Sequence, residues 1–353
     1  MREAVARLKE ASLQYLRPAM RDVAAEVLWR AGATDPRRRS SDRLSIVTFH
    51  RVLTRDQLED YPIPEIAVTR DEFAWFLDFF QQHFECGPLL AMLEAFRSRR
   101  SQDRRPLLAI TFDDGQLDNY QNARPLLEER AMRATFFATV VGTETGAALW
   151  HDEAAFAIRA LLRQDRGRAQ ELLSQLGLGN AEATLAPKAA TEQLKHRDSA
   201  GRRAFIDLAQ DALGADGRPA WDGMMDAAKL SELAQAGHEI GSHTETHAIL
   251  VHCGQPELER EVIGSRKRLE AAVAAPVESF CYPNGDHNPQ VIQAVRTAGY
   301  KAAVTTEWGR NGPHMDVLSL RRCDVQGTTA RTRAGHLSPA RLGLRLSGLQ
   351  PGL

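Results

Sequence analysis

The chain has 353 residues, of which 43% are hydrophobic and 26% are charged, the composition of an ordinary soluble globular protein. Lys and Arg total 45 against 46 for Asp and Glu, so the charge balance argues against nucleic acid or an acidic polymer as partner. The four cysteines, at positions 86, 253, 281 and 323, show no CxxC pairing, which argues against a disulfide framework and a thiolate zinc cluster.

The N-terminal region predicts an amphipathic helix rather than an exported or membrane-spanning segment. Charged residues interrupt every apolar stretch of residues 1–33, so neither a signal-peptide core nor a spanning helix is visible. We therefore expect a cytoplasmic protein or one held at the cytoplasmic membrane. Residues 1–42 would form this helix and a polar linker, and packing on the protein body is favoured over binding a membrane surface or a partner. The apolar positions with roughly helical spacing are Val5, Leu8, Leu16, Met20, Val23 and Val27.

Seven short apolar segments follow the linker, with helical patterns between most of them. That alternation predicts parallel strands joined by crossover helices, and about seven repeats favour a closed or nearly closed α/β barrel. In such barrels the chemistry gathers at the C-terminal ends of the strands. The predicted strands are LSIVTF at 44–49, LLAITF at 107–112, ATFFATV at 134–140, HEIGSH at 238–243, VESFCYP at 277–283, YKAAVTT at 300–306 and LSLRRCDV at 318–325.

The predicted barrel domain spans residues 43–326. Two regions do not follow the alternation of strands and helices, one inside this domain and one after it. Residues 153–222 carry helical patterns with a polar gap at 188–201, and we interpret them as a helical insertion between two barrel strands. The insertion is either a packed elaboration or a lid or substrate wall, and the sequence leaves both alternatives open. The Gly- and Arg-rich tail at 327–353 is expected to be peripheral.

Two adjacent acids end the second predicted strand. Asp113 and Asp114 follow LLAITF directly and precede Gly115. Neighbouring carboxylates repel each other, and burying either is costly unless a positive charge compensates. Along a regular strand the two side chains would point to opposite faces, but a turn at Gly115 lets both reach one pocket. A divalent cation bound there would offset the repulsion.

Two histidines follow another predicted strand, in GHEIGSHTETH. His243 and His247 are four residues apart, so on a helix both imidazoles would face the same point. Two histidines and one carboxylate make a metal site that leaves coordination positions open, as catalysis requires. The order His-Thr-Glu-Thr-His puts Glu245 in the wrong place for the base of an HExxH zinc protease, so we reject that class.

TFDDG at 111–115 together with HTETH at 243–247 resembles the polysaccharide deacetylases, carbohydrate esterase family 4 with its NodB-homology domain. The similarity runs from about residue 44 to residue 325. FCYPNG at 280–285 resembles the FxYPxG form of the third family motif, and with TFHRV, ATFF and GHEIGSHT it is most similar to the branch found with bacterial exopolysaccharide and biofilm polymers. The resemblance implies a distorted (β/α)7 barrel of the NodB-homology type. It also implies removal of N-acetyl groups from an N-acetylhexosamine polysaccharide or its lipid-linked precursor.

The resemblance also implies roles for the motif residues. Asp114, His243 and His247 would hold a divalent metal, with Zn²⁺ favoured over Co²⁺, Ni²⁺ or Fe²⁺. Asp113 would stay off the metal and act as the general base that deprotonates water. Oxyanion stabilisation would come from the metal and from the backbone N–H of Asn284, with a simple turn as the alternative role of this segment.

The departing amine needs a proton, but no Leu-x-His motif of the kind many relatives use ends a predicted strand here. His50, at the tip of the first strand, resembles a permuted replacement in the branch with an N-terminal HRV motif. We expect His50 to be the general acid, with a structural histidine as the alternative.

The third motif departs from the family pattern. Typical members carry an arginine two residues before the proline, where it orients the base, and Cys281 stands at that position here. A thiol cannot make the bidentate bond of a guanidinium to a carboxylate. Arg322, at another predicted strand end, is the expected substitute, and an ordinary surface arginine is the alternative.

Three aromatic residues are candidate sugar contacts. Trp150, Trp308 and Tyr282 lie near predicted strand ends or the start of the insertion, and packing is the alternative role of each. Three functions stay open: a metal-dependent N-deacetylase, a carbohydrate-binding homologue without turnover, and a metal amidohydrolase acting on a small non-sugar amide. The intact Asp and His set favours the first. We expect a glycan as partner and no nucleic acid, and association with the membrane periphery or a biosynthetic complex stays open.

Overall fold

Seven parallel strands close into a barrel in the computed structural model, which describes residues 18–39, 42–98 and 105–349. The strands are β1 Leu44–Phe49, β2 Arg51–Leu53, β3 Ala67–Thr69, β4 Glu85–Gly87, β5 Leu107–Phe112, β6 Thr135–Ala138, β7 Glu239–Ser242, β8 Ser279–Cys281, β9 Ala302–Trp308 and β10 Leu320–Asp324. β1 pairs with both β10 and β5, which closes the ring β1-β10-β9-β8-β7-β6-β5 and confirms the predicted barrel. β4 adds to β5, while β2 and β3 form a separate two-stranded sheet.

Helices connect the strands and form most of the remaining structure. They are α1 Pro18–Arg30, α2 Pro36–Arg39, α3 Arg55–Asp60, α4 Arg70–His83, α5 Leu89–Ser98, α6 Arg124–Glu129, α7 Val140–Thr145, α8 Trp150–Gln164, α9 Arg166–Ser174, α10 Ala186–Lys195, α11 Ser199–Leu213, α12 Ala227–Gln235, α13 Gln255–Glu259, α14 Ser265–Val273, α15 Pro289–Thr297, α16 Gly327–Ala330 and α17 Pro339–Leu346. Single π-type turns lead into α6 and α14.

Strand register brings the predicted motif residues to one rim of the barrel. The six residues of β1 pair in order with the six residues of β5, so His50 and Asp113 follow their strands at the same level. Ser242, the last residue of β7, pairs with Ala138 on one side and with Phe280 on the other. His243 therefore leaves the barrel at this same C-terminal rim, where barrel proteins carry their chemistry.

Aromatic packing fills the space around the first two barrel strands. Every residue of β1 and β5 is buried, as expected for parallel strands covered on both faces. Phe112 stacks on Phe49 and on Phe136 with ring centroids 5.6 and 4.8 Å apart, and Phe73 of α4 meets Phe49 edge-on at 5.1 Å. Each such buried ring contributes roughly 1.5–3 kcal/mol relative to exposure.

The region predicted as an insertion forms four helices, α8 to α11, between β6 and β7, with a hydrophobic cluster of its own. The predicted polar gap at 188–201 is wrong, because most of it belongs to α10 and the start of α11. Ala190 and Leu194 of α10 are fully buried in the cluster of the insertion, while Lys188 and Glu192 lie on the side of the helix away from that cluster. The apolar residues of α10 lie on one side of a short helix, and polar residues surround them in the sequence. The helix was therefore not recognised from the sequence pattern.

The C-terminal segment is not peripheral, contrary to the expectation from its composition. Leu342 and Leu346 of α17 are fully buried in the main hydrophobic cluster of the barrel. Ala340 and Leu344 pack instead on Ala25 of α1, so the first and last described helices cover each other. α17 is therefore buried on two sides, between the barrel and α1, despite its polar composition.

The predicted N-terminal helix is described from Pro18 onward, and residues 1–17, which carry its first half, lie outside the described residues. α1 packs on the protein body, as favoured, yet Met20, Val23 and Val27 face solvent on the side away from Ala25. Within the described residues, no helix combines the length and the apolar character needed to cross a bilayer.

Candidate functional site

Asp113 and Asp114 leave β5 at the barrel rim in a conformation that turns the two carboxylates into one pocket. Both residues are 2% exposed. Asp114 and Gly115 each have a φ of +78°, the left-handed region, so the chain bends sharply just after the strand. A Cβ on Gly115 would also lie 3.2 Å from Ala138, so glycine is required both for the bend and for the close approach.

The segment from His243 to His247 is a loop rather than the expected helical turn. Thr244 and His247 have φ values of +72° and +58°, which no α-helix contains. The buried carboxylate of Glu261 accepts hydrogen bonds from the backbone N–H groups of Glu245 and Thr246 and from the Thr246 hydroxyl, at 2.7–2.9 Å. This fixed loop brings the two imidazoles together in spite of its irregular backbone.

Asp114, His243 and His247 form the candidate metal site. The Nε2 atoms of His243 and His247 each lie 3.4 Å from Asp114 Oδ1, and all three residues are buried. Zn–ligand bonds of about 2.0–2.2 Å place two ligands of a tetrahedral ion about 3.3 Å apart, so the separations fit.

The protonation chemistry of the three residues also fits a cation. His243 Nδ1 donates to the carbonyl of Cys281 at 2.8 Å, and its other ring nitrogen, Nε2, faces Asp114. Burial acts to lower the pKa of His243, but Cys281 and Asp114 hold it well above its ordinary value, so Nε2 carries a proton toward Asp114 at the place where a cation would replace it. Burial keeps the pKa of His247 well below its ordinary value, which favours the neutral imidazole that a metal needs.

A second group, Asp113, His243 and Cys281, also has ligand atoms within 4.8 Å of one another. Both oxygens of Asp113 accept hydrogen bonds from the Arg322 guanidinium, which would repel a cation. Burial raises the pKa of the Cys281 thiol, which disfavours the thiolate that binds metals. The set with Asp114 is therefore the better metal site.

Arg322, in the middle of β10, lies beside Asp113, the residue predicted to act as base. Its Nη1 and Nη2 donate to the two oxygens of Asp113 at 2.7 Å each, and its Nε donates to the carbonyl of Thr305 at 2.8 Å. Cys281 Sγ lies 3.4 Å from Nη2, so the small thiol borders the space that the guanidinium fills. Burial alone would raise the pKa of Asp113, but Arg322 lowers it to about 2, which keeps this carboxylate ionised.

His50 also lies in the pocket. Its Nε2 is 3.8 Å from Asp113 Oδ2, and its side chain is 26% exposed, more than that of any of the three candidate metal ligands. The location at the end of β1 is as predicted, and the role as general acid stays a prediction.

A pocket of about 240 Å³ opens above these groups. Trp150 and Asn284 line it, and their roles as substrate contacts stay predictions. The indole N–H of Trp150 donates to the carbonyl of His247 at 3.3 Å, which ties the insertion to the histidine loop. Asn284 has a φ of +58°, so the Tyr-Pro-Asn-Gly segment is a turn that also borders the pocket.

The other two predicted aromatic contacts differ from each other. Tyr282 borders the pocket, but its side chain is buried and its hydroxyl donates to the carbonyl of Leu318 at 2.8 Å, so it also packs, which was the alternative role. Trp308 does not line the pocket, and its ring lies under the guanidinium of Arg345, whose Cζ atom is 5.8 Å from the ring centroid.

The sequence patterns missed several pocket residues. His151 follows Trp150 and lies 3.8 Å from Asp114, and the only signal for it was its place beside a tryptophan already singled out. α10 supplies one wall of the pocket through Lys188, Thr191, Glu192 and Lys195. The insertion therefore contributes one wall of the pocket as well as a packed cluster of its own.

The fold and the site together define an α/β-barrel protein with an open candidate metal centre of one carboxylate and two histidines at its C-terminal rim. The sequence model described as Polysaccharide deacetylase matches residues 100–175 and 208–303, and the gap between the two matched parts lies inside the insertion. By this match and by the curated relatives described next, the chain is similar to the polysaccharide deacetylase family.

Two curated proteins show the extent of the sequence similarity. YxkH of Bacillus subtilis, named as a polysaccharide deacetylase, is 23% identical over 228 residues, which are 64% of this chain and 54% of YxkH. The peptidoglycan-N-acetylglucosamine deacetylase of Bacillus cereus is 29% identical over 75 residues, 21% of this chain and 35% of that protein. The chain thus spans about half the length of YxkH and a third of the second relative.

A solved structure with the same fold is the Streptococcus pyogenes deacetylase PplD in complex with acetate. It has a TM-score of 0.55 and 17% identity, and the match covers 88% of this chain and 99% of PplD. IcaB from Ammonifex degensii has a TM-score of 0.52 and 19% identity over 82% of this chain and 94% of IcaB. At these identities the two structures confirm the barrel fold.

Proposed function

We propose that the protein is a metal-dependent hydrolase that removes N-acetyl groups from an N-acetylhexosamine glycan or its lipid-linked precursor. The observation that carries the proposal is the pairing of two adjacent carboxylates with different partners. Asp114 faces two histidine nitrogens at 3.4 Å, while Asp113 is held by Arg322. Similarity to the polysaccharide deacetylase family supports deacetylation, and the TFHRV and FCYPNG motifs favour the exopolysaccharide branch.

Asp114, His243 and His247 would hold the divalent metal, and Zn²⁺ suits this mixed oxygen and nitrogen set. When bound, the metal supplies a Lewis acid that polarises the amide carbonyl and acidifies water. Asp113, which Arg322 keeps ionised and oriented, accepts the proton of the attacking water. Its low pKa makes it a weak base, so the acidity that the metal gives to water is essential to the step. The backbone N–H of Asn284 faces the developing oxyanion in this proposal.

His50 is the proposed general acid that protonates the departing amine. His50→Ala should lower amide turnover by about 10²–10⁴-fold while affecting an activated acetyl ester far less, because that leaving group needs no proton. Acetate release from both substrates measures this. His252, exposed and outside the pocket, gives the control variant His252→Ala, which should match the wild type. Equal losses on both substrates would exclude His50 as the acid.

A substrate panel tests the proposed function against its two alternatives. The Zn²⁺- or Co²⁺-loaded protein is offered chitooligosaccharides, poly-N-acetylglucosamine fragments, small non-sugar amides and acetyl esters, and acetate is measured. We expect release from the glycans and none from Asp113→Asn. No release from any substrate, with glycan binding equal in wild type and Asp113→Asn, would favour a binding protein. Release from the small amides alone would favour the amidohydrolase.

A further inference from the structure

One imidazole that the proposed function leaves unassigned lies beside the candidate metal ligand Asp114. His151 Nε2 is 3.8 Å from Asp114 Oδ2. The other oxygen, Oδ1, faces the Nε2 atoms of His243 and His247. The two oxygens of one carboxylate therefore have different neighbours, because one turns to the candidate ligands and the other to a side chain of the insertion.

Contacts on the neighbouring residues hold His151 in this place. It is the second residue of α8, and its side chain is 14% exposed. Its ring centroid lies 5.0 Å from that of His247, and the preceding Trp150 donates to the His247 carbonyl. The first turn of α8 is thus docked directly on the histidine loop.

Asp152 borders His151 on the other side. Its Oδ2 lies 3.7 Å from His151 Nε2 and accepts from Gln116 at 2.6 Å and from Arg51 at 3.4 Å. Its Oδ1 accepts from the hydroxyl of Tyr61 at 3.0 Å. The Nε2 atom of His151 therefore lies between two carboxylate oxygens, one from Asp114 and one from Asp152, which favours the tautomer with its proton on Nε2.

We propose that His151 is a positioning residue for the metal ligand Asp114. Its Nε2–H donates to Asp114 Oδ2, which leaves Oδ1 turned toward the ion and the two histidines. The distance of 3.8 Å exceeds that of an N–H···O bond, so a shift of about 1 Å or less closes the contact. The inference rests on the proposed metal site, and it gives the insertion a direct connection to the metal centre.

The expected effect is on metal affinity, because hydrogen bonds to a ligating carboxylate fix its orientation and their loss costs about 10–100-fold. The Zn²⁺ dissociation constant is measured by chelator competition on the full chain. His151→Leu should weaken Zn²⁺ binding by that factor. The amide N–H of His151→Gln still donates, so its dissociation constant should lie between those of the wild type and His151→Leu. His252→Ala should match the wild type. Equal constants for the wild type and His151→Leu would overturn the proposal.

Two further readouts separate the possible failures. A wild type that binds no Zn²⁺ would overturn the proposed metal site itself, whatever the variants do. Melting temperatures of the metal-free proteins separate positioning from packing. Equal losses of affinity in the Leu and Gln variants, with both metal-free proteins less stable than the wild type, would show a packing role and overturn the proposal. If His151→Leu does not fold, His151→Phe replaces it in the comparison.

Discussion

Asp113 and Asp114 are adjacent in the chain but lie in different electrostatic surroundings. Arg322 lowers the pKa of Asp113 to about 2, against an opposing effect of burial. For Asp114, burial also acts to raise the pKa, but His243 and the nearby His151 and His247 hold it well below its ordinary value. Each carboxylate thus has its own positive or hydrogen-bonding partners, which is why both are tolerated in the buried rim.

Arg322 should contribute to the free energy of unfolding and should also determine how activity depends on pH. Arg322→Met leaves the buried Asp113 without its partner and should cost about 3–5 kcal/mol in the free energy of unfolding, measured by urea denaturation. Arg321→Met changes the preceding, exposed residue of the same strand and should cost at most about 1 kcal/mol. Similar costs for the two variants would contradict the buried ion pair.

The pH dependence of activity gives a second test of the same pair. In the wild type Asp113 is ionised above about pH 2, so it contributes no loss of kcat/KM between pH 4 and 7. Arg322→Lys retains a charge but loses the two-pronged hydrogen bond, so burial should raise the pKa of Asp113 and move the acid limb of the profile upward. An unchanged acid limb in this variant would contradict the role of Arg322 on the base.

Residues that follow strand ends were predictable, because register alone brings them to one rim. That reasoning located His50, Asp113, Asp114 and His243, while Arg322 lies within β10 rather than after it. His151 was not predictable in the same way, because its proximity to Asp114 depends on how α8 docks. The prediction that Trp308 lines the pocket was wrong for the same reason. Its ring is covered by Arg345, and that contact depends on how the C-terminal helix α17 packs.

At the scale of elements, a buried arginine joins the insertion to the barrel. Arg51 of β2 lies 2.7 Å from Asp118, 3.4 Å from Asp152 and 2.6 Å from Asp222, all almost fully buried. Asp152 stands near the start of the insertion and Asp222 at its end. Arg51 directly follows His50 in the chain. Its single guanidinium therefore holds both ends of the insertion beside the pocket.

Arg51→Met should destabilise the protein by about 3–5 kcal/mol, because it leaves three buried carboxylates without their shared cation. Urea denaturation measures the change. Arg55→Met removes an arginine from an exposed pair with Asp71, with side chains 79% and 77% exposed, and should cost about 0–1 kcal/mol. If Arg51→Met costs no more than Arg55→Met, the cluster does not anchor the insertion.

The insertion and the histidine loop show where periodicity failed as a guide. Periodicity found three of the four insertion helices but not α10, whose buried face is only Ala186, Ala190, Leu194 and two further residues. The spacing of His243 and His247 correctly predicted convergence of the imidazoles but for the wrong reason. Convergence depends on two left-handed residues and on the carboxylate of Glu261, which no helical pattern encodes.

For the whole molecule, the closed ring of strands was predictable because strand and helix patterns alternate along most of the chain. The association of the two ends was not. In the contact between α1 and α17, the buried apolar residues stand between polar ones in the sequence, and the two segments are more than 300 residues apart. The composition of the last segment therefore suggested a peripheral tail where the structure has a packed helix.

Leu342→Ala tests whether α17 is part of the core. The side chain is fully buried in the main cluster, so its truncation should cost about 2–5 kcal/mol in the free energy of unfolding. Leu208→Ala removes a leucine that is 44% exposed on α11 and should change stability by about 0.5 kcal/mol or less. Equal losses of stability in the two variants, measured by chemical denaturation, would contradict the packing of α17 in the core.

The most direct measurement of the central claim is metal-dependent acetate release from a chitooligosaccharide. The protein is stripped with a chelator, assayed, reloaded with one equivalent of Zn²⁺ and assayed again, beside Asp114→Ala treated identically. We predict no release by the stripped protein, recovery on reloading, and neither tight Zn²⁺ binding nor release by the variant. Release at the same rate without metal, or full activity of Asp114→Ala, would contradict a metal-dependent deacetylase centred on Asp114.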